Sequence, residues 1–288
     1  MEAHLEDLRC SVETRLAELF SGGDGAPSLL EAMRYSIAAG GKRVRPIVTL
    51  LFAQACGGEV TEDERRAVID AAAAVELLHT YSLIHDDLPA MDDDDMRRGK
   101  PSNHIVFGQW RAILAGDALQ AEAFALLANC GLPAERTARM VAALAAAAGA
   151  AGICGGQTLD MEGGAELDAV HAMKTASLIV AAAKIGVLAA GGSEAQLAAA
   201  EVYAQSIGMA FQIRDDVLDA IGDAQLLGKP VGSDELNGKT TYYTKYGAEK
   251  CEELIGKYTI TAKNAVDEAF ASSEMLNYLA DTLVWRTL

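Results

Sequence analysis

Apolar residues recur along most of the chain at spacings of three and four positions, which is the period of an α-helix. No stretch sustains the strict alternation of apolar and polar residues that is typical of a half-buried strand. Several of the helical segments run into glycine pairs, at 40–41, 57–58 and 191–192, and glycine commonly ends helices. We therefore predict an all-α protein of roughly ten to thirteen helices, forming a single domain over residues 1–288.

Capping patterns predict where some of these helices begin. A Ser or Thr followed three positions later by Glu or Gln can satisfy the free N–H groups of a first helical turn. The pattern occurs at Ser28 and Glu31, at Thr61 and Glu64, and at Ser193 and Gln196. Further continuous helices are predicted over 105–130, 134–149 and 167–190.

Composition and charge exclude several classes of protein. Hydrophobic residues make up 51% of the chain and the formal net charge is −17, so a globular core is possible but a nucleic-acid or anionic-membrane partner is not expected. The five cysteines are scattered without a CxxC pair, which favours a reducing compartment. No secretory signal is visible, and the longest apolar stretch, 140–154, is short for a transmembrane helix. These patterns predict a cytoplasmic protein without a transmembrane segment.

The densest cluster of charge lies in HTYSLIHDDLPAMDDDDMRRGKPSNH, residues 79–104. A predicted helix reaches Asp86-Asp87, and four consecutive aspartates, residues 92–95, follow Pro89. So many carboxylates repel one another unless cations neutralise them or water solvates them, and Mg²⁺ is a cation suited to oxygen ligands. Because Pro89 disrupts the helix, Asp92 could approach Asp86 only through an irregular turn. The stretch alone leaves a solvated acidic loop open as the alternative.

A second acidic motif, FQIRDDVLDAIGD, lies more than a hundred residues further on. On a helix, Gln212, Asp215 and Asp219 fall on one face, and Asp216 is adjacent. Buried carboxylates must be paired or bind a metal, whereas an exposed helix face would leave them in water. Spacing alone does not decide between these two alternatives.

Basic residues occur close to a predicted helix start in GGKRVRP, where Lys42, Arg43 and Arg45 precede Pro46. The N-terminus of a helix favours anions, so this segment is a candidate phosphate site, although surface lysine and arginine would give the same pattern. On the otherwise apolar helix that leads into the first aspartate motif, His79, Ser82 and Asp86 share one face and suggest the lining of a cavity. A histidine satisfied within the core is the alternative for His79.

Taken together, these motifs resemble the trans-prenyltransferases of the isoprenyl diphosphate synthase family, and in particular bacterial farnesyl diphosphate synthases. The resemblance rests on GGKRVRP, the 79–104 stretch, ILAGDALQ, CGGQTLD, KTASLI, FQIRDDVLD and GKPVGSDELNGKTTY, which follow the family's order along nearly the whole chain. It implies a helix bundle with a central active-site cavity. It also implies a Mg²⁺-dependent, head-to-tail condensation of isopentenyl diphosphate with dimethylallyl or geranyl diphosphate, which gives farnesyl diphosphate and releases diphosphate.

The resemblance also implies roles for individual residues, three Mg²⁺ ions per site and a homodimer. The implied metal ligands are Asp86, Asp87, Asp92, Asp215, Asp216 and Asp219. The implied contacts to the allylic diphosphate are Arg97, Lys174, Lys229 and Lys239, and those to isopentenyl diphosphate are Lys42, Arg45, His79 and Arg98. Thr175 and Gln212 would face the developing allylic cation, so that Lys174, Thr175, Gln212, Asp86 and Asp215 form the implied catalytic set.

Product length is expected to depend on Tyr81 and Ser82, five and four positions before the first aspartate. A bulky residue at position 81 resembles the fifteen-carbon synthases, although ideal helix geometry turns Tyr81 about 140° from Asp86. A geranylgeranyl diphosphate synthase is therefore the main alternative, and a terpene cyclase or an inactive subunit are others. The family commonly has glycine after the Lys-Thr pair, where this chain has Ala176.

Overall fold

The computed structural model describes residues 1–22, 25–58, 61–221 and 241–284. It confirms the all-α prediction, since helices account for 79% of the residues that the structure describes. The α-helices of the described residues are α1 (Glu2–Leu19), α2 (Pro27–Ile37), α3 (Val44–Ala55), α4 (Glu62–Asp86), α5 (Asn103–Phe107), α6 (Gln109–Ala128), α7 (Ala134–Ala148), α8 (Ile153–Glu162), α9 (Leu167–His171), α10 (Ser177–Ala189), α11 (Glu194–Ile221), α12 (Tyr242–Ala269) and α13 (Glu274–Val284). A π-helical turn, Ala172–Ala176, joins α9 to α10, and α12 is interrupted at Gly247.

Contacts divide the chain into two compact units. The first unit comprises Met1–Ala145 and Ala181–Gly192. At its centre, α4 packs against α6 and α3, and four consecutive alanines of α4, residues 71–74, are fully buried. These small side chains allow neighbouring helices to approach closely, which accounts for the alanine-rich sequence of this helix.

The second unit comprises Ala146–Val180 and Ser193–Leu288. Its principal packing joins α11 to α12, and α11 also contacts the π-helical turn and α13. Tyr203 of α11 is fully buried and donates its hydroxyl to the carbonyl of Leu276 at 2.7 Å. The single-domain prediction for residues 1–288 and the predicted central cavity remain predictions.

Two of the three predicted helix starts are confirmed. Thr61 and Glu64 form a reciprocal capping box at the start of α4, and the Ser193 and Gln196 side chains exchange the equivalent bonds at the start of α11. The prediction for Ser28 was wrong. Helix α2 begins at Pro27 and has no side-chain cap, because proline lacks an N–H and already has the φ angle of a first helical residue.

Two predicted continuous helices are divided in the structure. The segment predicted over 105–130 breaks at Gly108, whose φ of 84° separates α5 from α6. The segment predicted over 167–190 contains the π-helical turn, and Lys174 and Thr175 lie within that turn. A short antiparallel ribbon, β1 (Met96–Arg97) and β2 (Lys100–Pro101), follows the aspartate run.

In the part of the chain that the structure describes, three helical stretches are long and apolar enough to cross a membrane by length and composition alone: Glu62–Asp86, Ala134–Glu162 and Leu167–Ala189. In the first of them, 83% of the apolar window is buried within the fold. The length and hydropathy of these helices therefore do not support the expected absence of a transmembrane segment. That absence remains a prediction.

Candidate active site

The first aspartate motif begins where α4 ends, and the chain turns back there. The N–H of Asp92 donates to the carbonyl oxygen of Asp86 at 2.8 Å, and the N–H of Asp93 donates to the carbonyl of Leu88 at 3.2 Å. This is the irregular turn that Pro89 was expected to require. It holds the main chain of Asp92 against the end of α4, with Asp86 half-buried and Asp92 exposed. Two accessible carboxylates on one turn are oxygen donors of the kind that Mg²⁺ takes.

Asp87 differs from its neighbour. Its side chain is buried and accepts a hydrogen bond of 2.8 Å from Nε of Arg97, and the Nη2 of the same guanidinium also donates to it. Burial raises the pKa of Asp87, and the Arg97 guanidinium opposes that shift. Arg97 also donates to Asp94 at 2.9 Å. The ribbon arginine is thus oriented by carboxylates on both sides of the turn.

The predicted isopentenyl diphosphate residues of the first unit include a close pair. Arg45 Nη1 lies 3.2 Å from Nε2 of His79. Burial, and next the Arg45 guanidinium, hold the pKa of His79 well below its ordinary value. The ring is therefore neutral, and Nε2 accepts the hydrogen bond from Arg45. Burial also lowers the pKa of Arg45 to about 10, and its Nε is buried without a hydrogen-bond partner among the described residues.

An unpartnered guanidinium N–H in a buried position is costly unless a ligand accepts from it. Arg45 therefore fits an anion that arrives from solution. Lys42 is exposed. Arg43 was grouped with Lys42 and Arg45 in the candidate phosphate segment, but its side chain points into the fold and is fully buried against Glu13 and Glu76. Arg43 is therefore committed to protein carboxylates.

In the second unit, the π-helical turn brings three predicted residues together. Lys174 donates to Asp160 at 2.6 Å, and Thr175 Oγ1 donates to Oε1 of Gln212 at 3.2 Å. Nε2 of Gln212 in turn donates to Oδ1 of Asp216 at 3.1 Å. A π-helical turn is frequent at functional sites because it displaces side chains from regular helical positions. Here it places Lys174 and Thr175 beside partners on two different helices.

Asp216 is also tied to the start of α12. Its Oδ2 accepts from the main-chain N–H of Tyr242 at 2.8 Å, and the carboxylate is 4% exposed. The Tyr242 hydroxyl donates to Asp168 on α9, and its ring stacks on His171 at 5.5 Å. The helix N-terminus is thereby capped by a carboxylate, which the helix dipole also favours.

The two Asp-Asp pairs share an arrangement. The first aspartate of each pair, Asp86 or Asp215, is half-buried, whereas the second, Asp87 or Asp216, is buried and held by protein donors. Asp219, one turn beyond Asp215, is 5% exposed. Next to the second pair, Arg214 fixes α11 by donating to Glu252 at 2.7 and 2.9 Å and to the carbonyl of Val284 at 2.9 Å.

Close helix packing supports the π-helical turn. A Cβ added at Gly156 of the CGGQTLD motif would lie 2.6 Å from the Cα of Lys174, so only glycine allows α8 to approach there. A Cβ added at Gly208 of α11 would lie 2.7 Å from the Cβ of Ala176. Glycine at 208 therefore leaves room for the methyl group of Ala176, where the family commonly has glycine.

The residues predicted to limit product length are both buried on α4. Tyr81 is 5% exposed, and its ring makes an edge-on contact with His85 at 5.4 Å between centroids. Ser82 is 7% exposed and donates to the carbonyl of His79 at 2.9 Å.

The remaining predicted residues are placed as follows. Asp86, Asp87 and Asp92 belong to the first unit, and Asp215, Asp216 and Asp219 to the second. Lys229 and Lys239 lie outside the described residues. Over 1–22, 25–58, 61–221 and 241–284, no group of three or more His, Cys, Asp or Glu side chains is arranged to hold a metal ion. Metal ligation therefore remains a prediction. The carboxylate oxygens of Asp86 and Asp92 are donors of the kind that it requires.

Several residues that shape these sites carried no strong sequence signal. Asp160, Asp168 and Tyr242 find their partners through contacts that span 14 to 74 residues. Glu76 is different, because a charged residue between apolar positions of a buried helix is itself unusual and could have indicated a buried ion pair.

The family model for polyprenyl synthetase matches residues 26–280. The chain belongs to the polyprenyl synthetase family. Among polyprenyl synthetases, the chain is 42% identical over 274 residues to the farnesyl diphosphate synthase of Escherichia coli, covering 90% of this chain and 89% of the other. It is 38% identical over 295 residues to that of Geobacillus stearothermophilus, covering 99% and 98%. It also matches the crystal structure of geranylgeranyl pyrophosphate synthetase from Pyrococcus horikoshii, with a TM-score of 0.87, 32% identity and coverage of 99% and 98%.

Proposed function

We propose that this polyprenyl synthetase is a Mg²⁺-dependent prenyltransferase that condenses isopentenyl diphosphate with dimethylallyl or geranyl diphosphate to give farnesyl diphosphate. The observation that carries the proposal is the turn in which the Asp92 N–H bonds to the Asp86 carbonyl at 2.8 Å. It gives the first motif two accessible carboxylates at one helix end. Relatives named farnesyl diphosphate synthase, 38% and 42% identical, support the same function.

In this proposal the allylic diphosphate is held by metal ions and by cationic side chains. The proposed metal ligands are Asp86, Asp87, Asp92, Asp215, Asp216 and Asp219. Asp87 and Asp216 also accept hydrogen bonds from the protein. Bound Mg²⁺, three ions per site, would neutralise the diphosphate and stabilise it as a leaving group. Lys174 is oriented for the same anion by its 2.6 Å contact with Asp160, and Arg97, Lys229 and Lys239 complete the proposed set.

The second substrate is received by the basic residues of the first unit. Arg45 offers its unpartnered Nε to the isopentenyl diphosphate, and the neutral His79 fixes the opposite edge of the guanidinium. Lys42 and Arg98 contribute further positive charge. Arginine suits this role because its planar fork matches phosphate oxygens.

The reaction breaks the C1–O bond of the allylic diphosphate, and the bonding electrons leave with the diphosphate. The alkene of isopentenyl diphosphate then forms the new C–C bond to the allylic carbon, and loss of a proton to the departing diphosphate restores a double bond. Thr175 and Gln212 are proposed to face the positive charge with their oxygen atoms. The bond from Gln212 Nε2 to Asp216 supports this role, since it directs the Gln212 carbonyl oxygen toward Thr175.

The fifteen-carbon product is favoured by Tyr81. Its buried ring is held edge-on to His85, so a growing chain that reached it would meet a fixed aromatic wall, with Ser82 beside it. The twenty-carbon product is the second candidate, because the chain also matches a geranylgeranyl pyrophosphate synthetase structure over 99% of its length. A terpene cyclase and an inactive subunit are less favoured, because both aspartate motifs and the GGKRVRP segment are present.

The test incubates the purified chain with Mg²⁺, isopentenyl diphosphate and either dimethylallyl or geranyl diphosphate, and identifies the prenyl product by mass spectrometry. We expect farnesyl diphosphate, with turnover abolished by EDTA and restored by Mg²⁺. A mainly twenty-carbon product would replace the farnesyl assignment by the geranylgeranyl one. A cyclic hydrocarbon, or no product, would overturn the prenyl condensation itself.

The chain is further proposed to form a homodimer and to act in the cytoplasm without a transmembrane segment. An apolar surface on α6 supports the dimer: Trp110 is 59%, Ile113 43% and Leu114 47% exposed, and they share one face of that helix. A second copy of the chain is the proposed occupant. Light scattering should give a dimer mass for the wild type and a monomer mass for Leu114→Glu, and a wild-type monomer would refute the dimer.

A further inference from the structure

Two arginines from different elements converge on one buried carboxylate in the first unit. Glu76 of α4 is 1% exposed. Arg43, at the start of α3, lies 2.5 Å from its Oε1, and Nη2 of Arg98, in the ribbon turn, lies 3.6 Å from the same atom. Glu76 precedes His79 by one helical turn, so it lies on the face of α4 that also carries the His79–Arg45 pair.

Both arginines that contact Glu76 have an unusual main-chain conformation. Arg43 has a φ of 49° and Arg98 a φ of 52°, which are left-handed values that cost free energy for a residue with a Cβ. Such conformations persist where the surrounding structure imposes them, and they cluster at functional sites. The shared contact with Glu76 is one such constraint.

The glycine pair before Lys42 completes the setting of Arg98. Arg98 Nη1 donates to the carbonyl of Gly40, and a Cβ added at Gly41 would lie only 2.8 Å from the Arg98 Cζ. The guanidinium therefore lies against this loop, between the Gly40 carbonyl and the Glu76 carboxylate. Its position is fixed before any ligand arrives.

Around Glu76 the positive charges outnumber the negative ones, and an excess of positive charge suits a diphosphate. Three guanidinium groups interact with Glu76: those of Arg43 and Arg98 contact it, and that of Arg45 is attracted to its negative charge. Burial lowers the pKa of Arg98, and Glu76 is the largest opposing influence. Glu76 thus holds the arginines close together, and even with the Glu13 carboxylate beside Arg43 the three guanidinium groups leave a net positive charge.

We propose that Glu76 is a positioning residue for isopentenyl diphosphate, which fixes the guanidinium of Arg98 and retains a cluster of positive charge beside Arg45. The proposal rests on the proposed function, since it concerns the second substrate of that reaction. Glu76 does not touch this substrate, because its carboxylate would repel the diphosphate and is already enclosed by arginines.

The test separates the two substrates by steady-state kinetics. Glu76→Gln keeps the shape of the side chain and removes its charge. We expect the KM for isopentenyl diphosphate to rise by about ten- to a hundredfold, as displaced binding groups do, while the KM for geranyl diphosphate changes less than about twofold. Glu76→Asp should give a smaller rise, because it restores the charge on a shorter side chain.

Glu13→Gln is the matched control. Glu13 also pairs with Arg43, at 2.8 Å, but its side chain is 30% exposed. Its loss should leave both KM values within about twofold of the wild type. A purely structural role for Glu76 would lower the melting temperature and affect both substrates alike, and that result would overturn the proposal. If Glu76→Gln does not fold, the same criterion applies to Glu76→Asp.

Calorimetry distinguishes this proposal from the proposed function. Wild type and both Glu76 variants are titrated with isopentenyl diphosphate and, separately, with inorganic diphosphate. Weaker binding of both ligands to the variants supports the positioning role even if the wild type forms no farnesyl product. Equal binding to the wild type and the variants refutes it even if farnesyl diphosphate synthesis is confirmed.

Discussion

The main-chain N–H of Asp92 bonds to the carbonyl oxygen of Asp86 at 2.8 Å, so the turn after α4 places the two aspartates at one helix end. The bond uses no side-chain atom. The same bond can therefore form with other side chains at either position, which separates the chemistry of the motif from the main-chain geometry of the turn.

This separation predicts the behaviour of Asp92→Asn. The protein should fold with an unchanged melting temperature, because Asp92 is exposed, while kcat falls by about two to three orders of magnitude through loss of an anionic ligand. Turnover should also require more Mg²⁺ for half-saturation. Asp93→Asn is the control, since Asn tolerates the left-handed φ of 53° at that position. Wild-type kcat in Asp92→Asn would remove Asp92 from the metal site.

Asp216 should behave differently from Asp92, because it supports both a helix start and Gln212. Asp216→Ala should lower the free energy of unfolding by about 1–2 kcal/mol, as loss of an N-terminal cap does, and should reduce turnover as well. Asp216→Asn can still accept from Tyr242 and should recover most of the stability. Urea denaturation measures the difference. Equal stability of all three proteins would show that the bond to Tyr242 is not a stabilising cap.

The contact between Ala176 and Gly208 predicts a compensating pair. Gly208→Ala should destabilise the protein by about 1–3 kcal/mol through overpacking, although alanine normally favours a helix interior. Adding Ala176→Gly removes the opposing methyl group and should restore stability and turnover in the double variant. A double-mutant cycle from thermal denaturation measures the coupling. Additive effects would contradict the contact.

Stability should depend on pH through the half-buried histidines His171 and His79. Burial lowers the pKa of His171 to about 4, whereas an unfolded histidine has a pKa of about 6.5. The unfolded chain therefore binds more protons between these values, so stability is complete above about pH 6.5 and falls as the pH decreases toward about 4.

The variant His171→Phe tests this dependence. Phenylalanine keeps a ring against Tyr242 but binds no proton, so the slope of unfolding free energy with pH should decrease by up to about 1.4 kcal/mol per pH unit. Denaturation curves at several pH values provide the measurement. His79, whose pKa is shifted in the same direction, should account for part of the slope that remains. An unchanged slope in His171→Phe would contradict the shift.

Product length should change with the volume of residue 81. Tyr81→Ala should shift the product from fifteen toward twenty carbons, because it removes the ring that His85 holds in place. Tyr81→Phe keeps the ring and should give the wild-type product. Chromatography of the dephosphorylated products measures the distribution. The same distribution in Tyr81→Ala as in the wild type would exclude Tyr81 as the limit.

Local signals explain which parts of the fold could be predicted. The Thr61 and Glu64 box and the end of α4 beside Pro89 depend on residues within a few positions of one another, and both were predicted. Ser28 failed as a cap because Pro27 competes for the same helix start at shorter range. The helix break at Gly108 was not predicted, since a single glycine within a sequence of helical periodicity can be tolerated without ending the helix.

The contacts within the site could not be predicted from the sequence, for a different reason. The Glu76–Arg43 pair joins residues 33 positions apart, and the Asp216–Tyr242 bond joins residues 26 apart. No local pattern encodes such partners, because the fold selects them. The π-helical turn at Lys174 depends likewise on Gly156 and Gly208 of neighbouring helices. Motif resemblance could therefore name Lys174 and Thr175 but not the contacts that hold them.

The main-chain bond between Asp92 and Asp86 also makes position 92 a natural place to vary metal chemistry. Any residue with a backbone N–H can form that bond, so glutamate, histidine or cysteine at 92 would extend from the same turn. Each would present a donor of different hardness, and hard and soft donors select different ions. The proposed metal site at this helix end should therefore change its preference among divalent ions when a single side chain is replaced, without any change in the backbone that presents it.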